Sequence, residues 1–304
     1  MKVLLQLRKF SGGPFIFRER LNKALQRESD LQIVNSIKQP FDVELSFIRH
    51  LGDHAKPKII RVDGCYYKPG QVKANRELRS AIKTSKMAIF QSEFSKTMIE
   101  KVLGVKSKSE IIYNGIDLHF LSSIHAEPSI EPGSFVAAAG WRPNKRPNSM
   151  IKGFLEANTG KNLYVIGRPD EINKSLRREP KIKIMGQCSE PKTISIMKAC
   201  DYMLHLCHID SCPNAVVEGL SSGCNVLCTN LGGTKELVRK DGVVLDIDRW
   251  DFKPNPFANV DRVNPKTIAK GIGELMKIKT KPNRPEFCIN SVAKQYADVI
   301  RSFR

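Results

Sequence analysis

The chain has 304 residues, enough for two domains of ordinary size, with 41% hydrophobic and 27% charged residues, the balance of a soluble globular protein. Its formal charge of +19 excludes little alone: it suits a nucleic-acid binder, a protein on an anionic membrane, or an enzyme handling phosphorylated substrates. The excess is dispersed, with 22 Lys+Arg against 12 Asp+Glu in residues 1–120 and no basic run of the kind a nucleic-acid tail carries. No apolar stretch approaches the roughly 20 residues that span a bilayer. The opening MKVLLQLRK has too short an apolar core for a secretory signal and reads as a buried first strand. Eight cysteines without a disulfide-like framework point to reduced thiols in a cytosol-like compartment.

In chain order, a strand is predicted at 3–7, then a turn at Ser11-Gly12-Gly13-Pro14 and a helix over 15–27. Strands follow at 31–34, 43–48 and 58–62, then a helix over 72–85, a strand at 87–91, a helix from Glu93 and a strand at 110–113. Residues 121–134, with two prolines, a glycine and four serines, read as a linker. A second series begins at FVAAAG (135–140), with a helix near 147–158, strands LYVIG and IKIMG, a helix near 190–199 and the strand at 202–206. A helix from Pro213, a strand at 225–229, a short helix from Gly233, a late strand at 243–245 and an amphipathic helix over 285–304 complete it. Alternating strands and helices imply parallel sheets covered on both faces. The expected architecture is α/β, two doubly wound Rossmann-like domains facing a cleft: 1–122, 134–284, and a terminal helix, 285–304, crossing back to the first. Ligands then bind at the carboxyl edges of the strands.

Two constellations carry chemistry. In HIDSCPNAVVEGLSSGCNVLCTNLGGTKELV, Asp210 lies just beyond a strand, Pro213 suits a first helical position with Cys212 as a poor cap, and Glu218 lies one and a half turns on. The amides of Asn214, Ala215 and Val216 are then expected to be free for an anion, with Glu218 accepting from sugar or ribose hydroxyls. The plain alternative is a routine helix start with Glu218 paired to a surface lysine. Gly232-Gly233-Thr234 is a second candidate amide nest. In AAAGWRPNKRPN, Arg142, Lys145 and Arg146 follow a strand's carboxyl end, which suits a diphosphate, or alternatively a solvated basic loop. HLCHIDSC offers His205, Cys207, His208 and Cys212 without paired CxxC spacing, so zinc is set aside, and Asp246-Ile247-Asp248 is read as a turn rather than a metal site.

These segments resemble the signature of the retaining glycosyltransferases of family 4, which have the GT-B fold. The acid, seven residues, Glu pattern runs on into small-Gly-x-x-Val and a Gly-Gly-x-x-Glu-x-Val close. GWRPNKRPNSMIKGF, IIYNGIDLHF, FQSEFSKTMI and SGGPFIFRERLNKAL also fit, in order, over most of the chain. The resemblance implies a metal-independent retaining transfer of a sugar from a nucleotide-diphosphate sugar, UDP- or GDP-linked, to a glycan or lipid-linked acceptor. It assigns Arg142 and Lys145 to the pyrophosphate, Glu218 to the ribose and Asp210 to the transferred sugar. Gly12, Gly13, Gly186, Ser211, Cys212, Pro213, Asn214 and Ala215 would line the donor. The chain departs from the family in having Asp210 for the usual first Glu, and Asp63-Gly64 where many members have a histidine, which makes Asp63 a candidate sugar or acceptor contact. The expectation is an enzyme with no cofactor or metal, cytoplasmic, in peripheral contact with an anionic membrane and with no specific nucleic acid. The alternatives are a GT-B nucleotide-sugar epimerase and a non-catalytic basic nucleic-acid binder.

Overall fold

The structure is a computed structural model that describes residues 1–5, 12–67, 71–253, 260 and 262–304. Two compact units emerge: one chiefly from Met1–Asp117 and Glu286–Arg304, the other chiefly from Leu118–Trp250 and 262–285.

The elements of the first unit are β1 (Lys2–Leu4), α1 (Gly13–Leu25), β2 (Gln32–Val34), β3 (Val43–Phe47), β4 (Lys58–Val62), α2 (Val72–Thr84), β5 (Met87–Phe90), α3 (Glu93–Leu103) and β6 (Ser109–Ile111). All six strands are parallel, in the order β2-β1-β3-β4-β5-β6. Helix α3 starts where the sequence says it should: Ser92 caps the amide of Ser95, Ser95 reciprocates, and Gly104 ends the helix in the left-handed region. Helix α1 begins two residues earlier than predicted. Gly12 forms its cap at φ 100°, a conformation that needs glycine, and its carbonyl accepts from the amides of Phe15 and Ile16. The predicted strand residues 6 and 7 and Ser11 lie outside the described residues.

The second unit holds α4 (Leu118–Ser122), β7 (Phe135–Ala138), α5 (Pro147–Glu156), β8 (Leu163–Ile166), α6 (Lys174–Arg177), β9 (Ile182–Gly186), α7 (Glu190–Ala199), β10 (Tyr202–His205), α8 (Asn214–Ser221), β11 (Asn225–Thr229), α9 (Thr234–Val238), β12 (Gly242–Leu245) and α10 (Pro265–Leu275). Its parallel sheet runs β12-β11-β10-β7-β8-β9. The start of the predicted linker is helical, since α4 extends to Ser122 and buries Leu121. Helix α10 was not predicted, although Asn264 caps it through the amide of Lys266 and Pro265 follows, both ordinary start signals. It buries Ile268, Ile272 and Leu275 against the sheet's core residues.

The last helix, α11 (Ile289–Arg301), belongs to the first unit, where Ile289, Val292, Ala293, Tyr296, Ala297 and Ile300 join the core of Val3, Leu45 and Phe17. Its anchor is polar. Arg61 of β4 is fully buried and donates to the Tyr296 hydroxyl (2.8 Å), Asn114 Oδ1 (2.8 Å) and Asp63 Oδ1 (2.8 Å), with its guanidinium 3.9 Å above the Phe17 ring. Burial opposes the arginine's charge, and Asp63 and Tyr296 outweigh it, so its pKa is raised. Tyr296→Phe keeps the packing and removes one acceptor from a buried cation. The urea midpoint should fall by the equivalent of about 1.5–3 kcal/mol; an unchanged midpoint would show that the hydroxyl does not anchor the helix.

Candidate functional site

In the second unit the chain passes from β7 outward to β8 and β9, then returns past β7 to add β10, β11 and β12 on the other side. The connections after β7 and β10 therefore leave the carboxyl edge of adjacent strands in opposite directions. That divergence is the topological switch point at which open α/β sheets bind ligands.

Lys145 comes from the β7 connection and Asp210 from the β10 connection, and the Lys145 ammonium donates to Asp210 Oδ2. Two backbone contacts set the register. The amide of His208 donates to the Asn144 carbonyl (2.8 Å), joining the connections, and the amide of Gly233 donates to the Asp210 carbonyl (2.8 Å). Gly232 sits at φ 122°, and a Cβ there would lie 2.8 Å from the Asp210 carbonyl oxygen. The Gly-Gly turn after β11 thus closes on Asp210. This corrects the reading of that turn as an amide nest, because the Gly233 amide is committed and Gly233 itself has negative φ.

Burial disfavours charge on both partners, and each offsets this for the other. Lys145 holds the Asp210 carboxyl below the usual carboxylate range, while Asp210 raises Lys145. His205, at the end of β10, is pushed down to about 3 by burial and by Lys145, and is therefore neutral at pH 7. Burial also pushes the Cys207 thiol up. The Cys207 carbonyl accepts from Thr229 Oγ1 (2.6 Å), which fixes β11 against this turn.

Arg142 and Arg146 have different fates. Arg142 is exposed and precedes the 3₁₀ turn Pro143–Lys145, where its carbonyl accepts from the Lys145 amide (2.8 Å). Arg146 is 3% exposed, adopts φ 53° as the cap of α5, and is consumed internally. It donates to both oxygens of Asp248 and, through Nε, to the Val260 carbonyl (2.6 Å), while His208 Nδ1 lies 2.9 Å from Asp248 Oδ1. The run of three cations after β7 is therefore not one phosphate-facing group. Asp246 is held by Arg249 (2.7 and 2.9 Å) and Asn230 (2.6 Å), and the Asp-x-Asp segment is irregular backbone after β12 rather than the expected turn.

The start of α8 lies one residue later than predicted: Pro213, not Cys212, is the cap. The amide of Val216 is not available to a ligand, since it donates to the Pro213 carbonyl (3.0 Å). Ser211, Cys212 and Pro213 are buried in this turn, Asn214 and Ala215 are half-buried, and Glu218 is half-buried on α8. Gly186 ends β9, the edge strand two places from β7, at φ 68°, and its carbonyl accepts from the Gly167 amide (2.7 Å).

Three predicted positions belong to the first unit. Gly12 and Gly13 form the start of α1. Asp63, beyond β4, receives Arg61 and Gln91 Nε2 (2.5 Å) on Oδ1, whereas its buried Oδ2 has no hydrogen-bond partner. Its first task is to neutralise Arg61. Sequence reasoning missed His205 and Asn144 as members of the site; the His-x-Cys-x-x-Asp spacing at the end of β10 was visible but was weighed only for zinc. It also missed the role of Arg146, which no local pattern announces because its partner is about a hundred residues away.

Residues 134–276, just under half of the chain, match the family model described as glycosyl transferases group 1. The sequence is 27% identical over 152 residues to the N-acetylgalactosamine-N,N'-diacetylbacillosaminyl-diphospho-undecaprenol 4-alpha-N-acetylgalactosaminyltransferase of Campylobacter jejuni, a match covering 46% of this chain and 41% of that protein. The match thus spans well under half the relative's length. Among solved structures, HepE from Anabaena, in complex with UDP and glucose, aligns with a TM-score of 0.65 at 15% identity over 99% of both chains. Sucrose-phosphate synthase from Thermosynechococcus elongatus aligns with a TM-score of 0.66 at 10% identity, covering 99% of this chain and 98% of that one. The fold is GT-B, and together the findings support a glycosyltransferase. Among the described residues no helix is long and apolar enough to cross a membrane.

Arg146 gives the test of the division of labour among the cations. Arg146→Ala strands Asp248 in the interior and should cost about 3–5 kcal/mol in thermal or urea unfolding. The Asp248 carboxyl is held below its usual range: burial opposes its charge, and Arg146 and His208 overcome it. Its contribution is present above the unfolded-state pKa, about 3.9, and is lost as pH falls through the lower native value. In the variant the native carboxyl loses its main partner and its pKa rises toward the unfolded value or above it, so this acid-linked loss should shrink. Equal acid limbs in the two proteins would contradict the assignment.

Proposed function

We propose that this protein is a glycosyltransferase that moves a sugar from a nucleotide-diphosphate sugar to a hydroxyl of a glycan or lipid-linked acceptor, with retention and without a divalent metal. The observation that carries the reading is the Lys145–Asp210 pair at the switch point of a sheet whose sequence matches the group 1 model. The relative from Campylobacter jejuni is named for a diphospho-undecaprenol substrate, and HepE was solved with UDP and glucose, which supports a nucleotide donor and a lipid-linked or glycan acceptor. The charge of +19 suits an anionic donor and an acceptor at an anionic membrane in the cytoplasm.

The chemistry asks little of a protein nucleophile. The bond from the anomeric carbon to the donor phosphate breaks through an oxocarbenium-like transition state, and the acceptor oxygen forms its bond on the same face. The acceptor's proton passes to the leaving phosphate oxygen. Lys145 and Arg142 stabilise the charge that develops on that phosphate, the part a metal would otherwise play. Asp210 holds a sugar hydroxyl, and Glu218 holds the ribose. Ser211, Cys212, Pro213, Asn214 and Ala215, with Gly186, line the donor. Lys145 leaves Asp210 for the phosphate as the donor binds, and Asp210 exchanges an ammonium for a hydroxyl. Asp63, with its second oxygen unpartnered, is the candidate contact for sugar or acceptor in the first unit.

Calorimetric titration of UDP, GDP and ADP in the presence of EDTA tests this. One diphosphate should bind to the wild type and at least tenfold more weakly to Lys145→Ala. Absence of binding at millimolar concentration for all three would remove the donor site, and salt-dependent RNA or DNA binding would then be the competing reading. NMR of the product decides retention, and a free sugar-nucleotide epimer as the only product would mark an epimerase.

A further inference from the structure

The cluster around Lys145 holds more ligand chemistry than a sugar donor uses. A ring nitrogen of His205, the Cys207 sulfur and a carboxylate oxygen of Asp210 all lie within 4.8 Å of one another. His205 and Cys207 are 5% and 3% exposed. Nε2 of His205 has no hydrogen-bond partner and faces Asp210 Oδ2 at 3.8 Å. Nearly every buried polar atom in a folded protein is satisfied, and leaving one unmet costs about 1–3 kcal/mol. This nitrogen is a donor atom in place without a task.

We propose that His205, Cys207 and Asp210 form a binding site for a soft divalent transition metal of the zinc class, and that the metal displaces the Lys145 ammonium from Asp210. One imidazole, one thiolate and one carboxylate are ligands zinc takes, with bonds of about 2.0–2.3 Å and a fourth position for water. Ligand atoms around such an ion stand about 3.5 Å apart, so the three side chains must close by roughly 1 Å. In the free chain the cage already holds a cation, the tethered ammonium of Lys145. A dication replaces a monocation between the same groups. Nε2 of His205, which has no hydrogen-bond partner, offers its lone pair. The Cys207 S–H bond breaks as the metal–sulfur bond forms, and its proton leaves to solvent. The Lys145 ammonium keeps its proton and moves off Asp210. Nothing in this step needs the sugar donor. Where the donor reading also holds, the metal occupies Asp210 against the substrate and is an inhibitor rather than a cofactor.

Cobalt(II) is the probe, titrated into EDTA-stripped, folded protein under reducing, chelator-free conditions. A one-to-one complex should show visible bands of a tetrahedral ion and a near-ultraviolet sulfur-to-cobalt charge-transfer band. Lys145→Ala, which removes the resident cation, should bind at least tenfold more tightly. Cys207→Ser should lose the charge-transfer band, and His205→Asn should bind at least tenfold more weakly. Circular dichroism verifies that each variant is folded; if His205→Asn is not, His205→Gln replaces it. A charge-transfer band that survives in Cys207→Ser, or a Lys145→Ala protein that binds no cobalt, overturns the proposal. The diphosphate titration in EDTA is independent: cobalt binding without diphosphate binding would keep the metal site and dismiss the donor reading.

Discussion

The second unit is organised around one electrostatic constraint, the ammonium of Lys145 set against the carboxylate of Asp210. Burying two opposite charges is close to break-even, because their attraction roughly offsets the water they lose. Such a pair is therefore poor evidence of stability and better evidence of placement. Everything nearby serves that placement. The sheet order brings the β7 and β10 connections together, the Asn144 carbonyl and His208 amide join them, and the glycine turn after β11 closes on the Asp210 backbone. The lack of a side chain at Gly232 is what lets that turn approach, since any Cβ would meet the Asp210 carbonyl oxygen.

The first unit solves a similar problem differently. Arg61 is buried without solvent, and its charge is distributed over Asp63, Asn114, Tyr296 and the face of Phe17. These partners come from β4, α1, α11 and the segment after β6, so one guanidinium joins parts of the chain more than two hundred residues apart. Because it is planar with five donors, arginine can serve three acceptors at once, which lysine could not do in the same geometry. Asp63 is consequently half-occupied: one oxygen belongs to the fold, and the other is left over.

The twelve strands of the described residues were legible because most carry a short apolar run between turn residues, and the inner ones, such as β5, β7, β10 and β11, are buried along their whole length. Helix α3 was expected from Glu93, and it begins there. Helix α10 was not expected, since its signals, Asn264 and Pro265, follow a region without periodicity. Asp210 and Glu218 could be proposed from their spacing, and Lys145 from its place after a strand. What the sequence could not reveal were pairings across the chain. Arg142, Lys145 and Arg146 look equivalent in a row of five residues, yet one is exposed, one is paired with Asp210 and one is clamped to Asp248. The difference arises from the tight turn between them: three residues of 3₁₀ helix followed by a left-handed Arg146 send successive side chains in different directions.

On the proposed function, that division sets how the anionic donor is received. Arg146 is fixed in a bidentate pair and cannot leave without stranding Asp248, so it contributes only architecture. Arg142 is exposed and still hydrated, which makes it a group for attracting an anion at long range. Lys145 is already largely shielded from water and already paired. For such a group, exchanging a carboxylate for a phosphate keeps one short charge-assisted contact on the ammonium and demands no new desolvation of the lysine. The cost of bringing the cation out of water has been met in folding, and what binding must still supply is a partner for Asp210. A hydroxyl-rich ligand offers that partner with the same molecule that brings the phosphate. The ion pair thus favours a ligand that carries both groups at once over a free phosphate, which would take the lysine and leave the carboxylate bare.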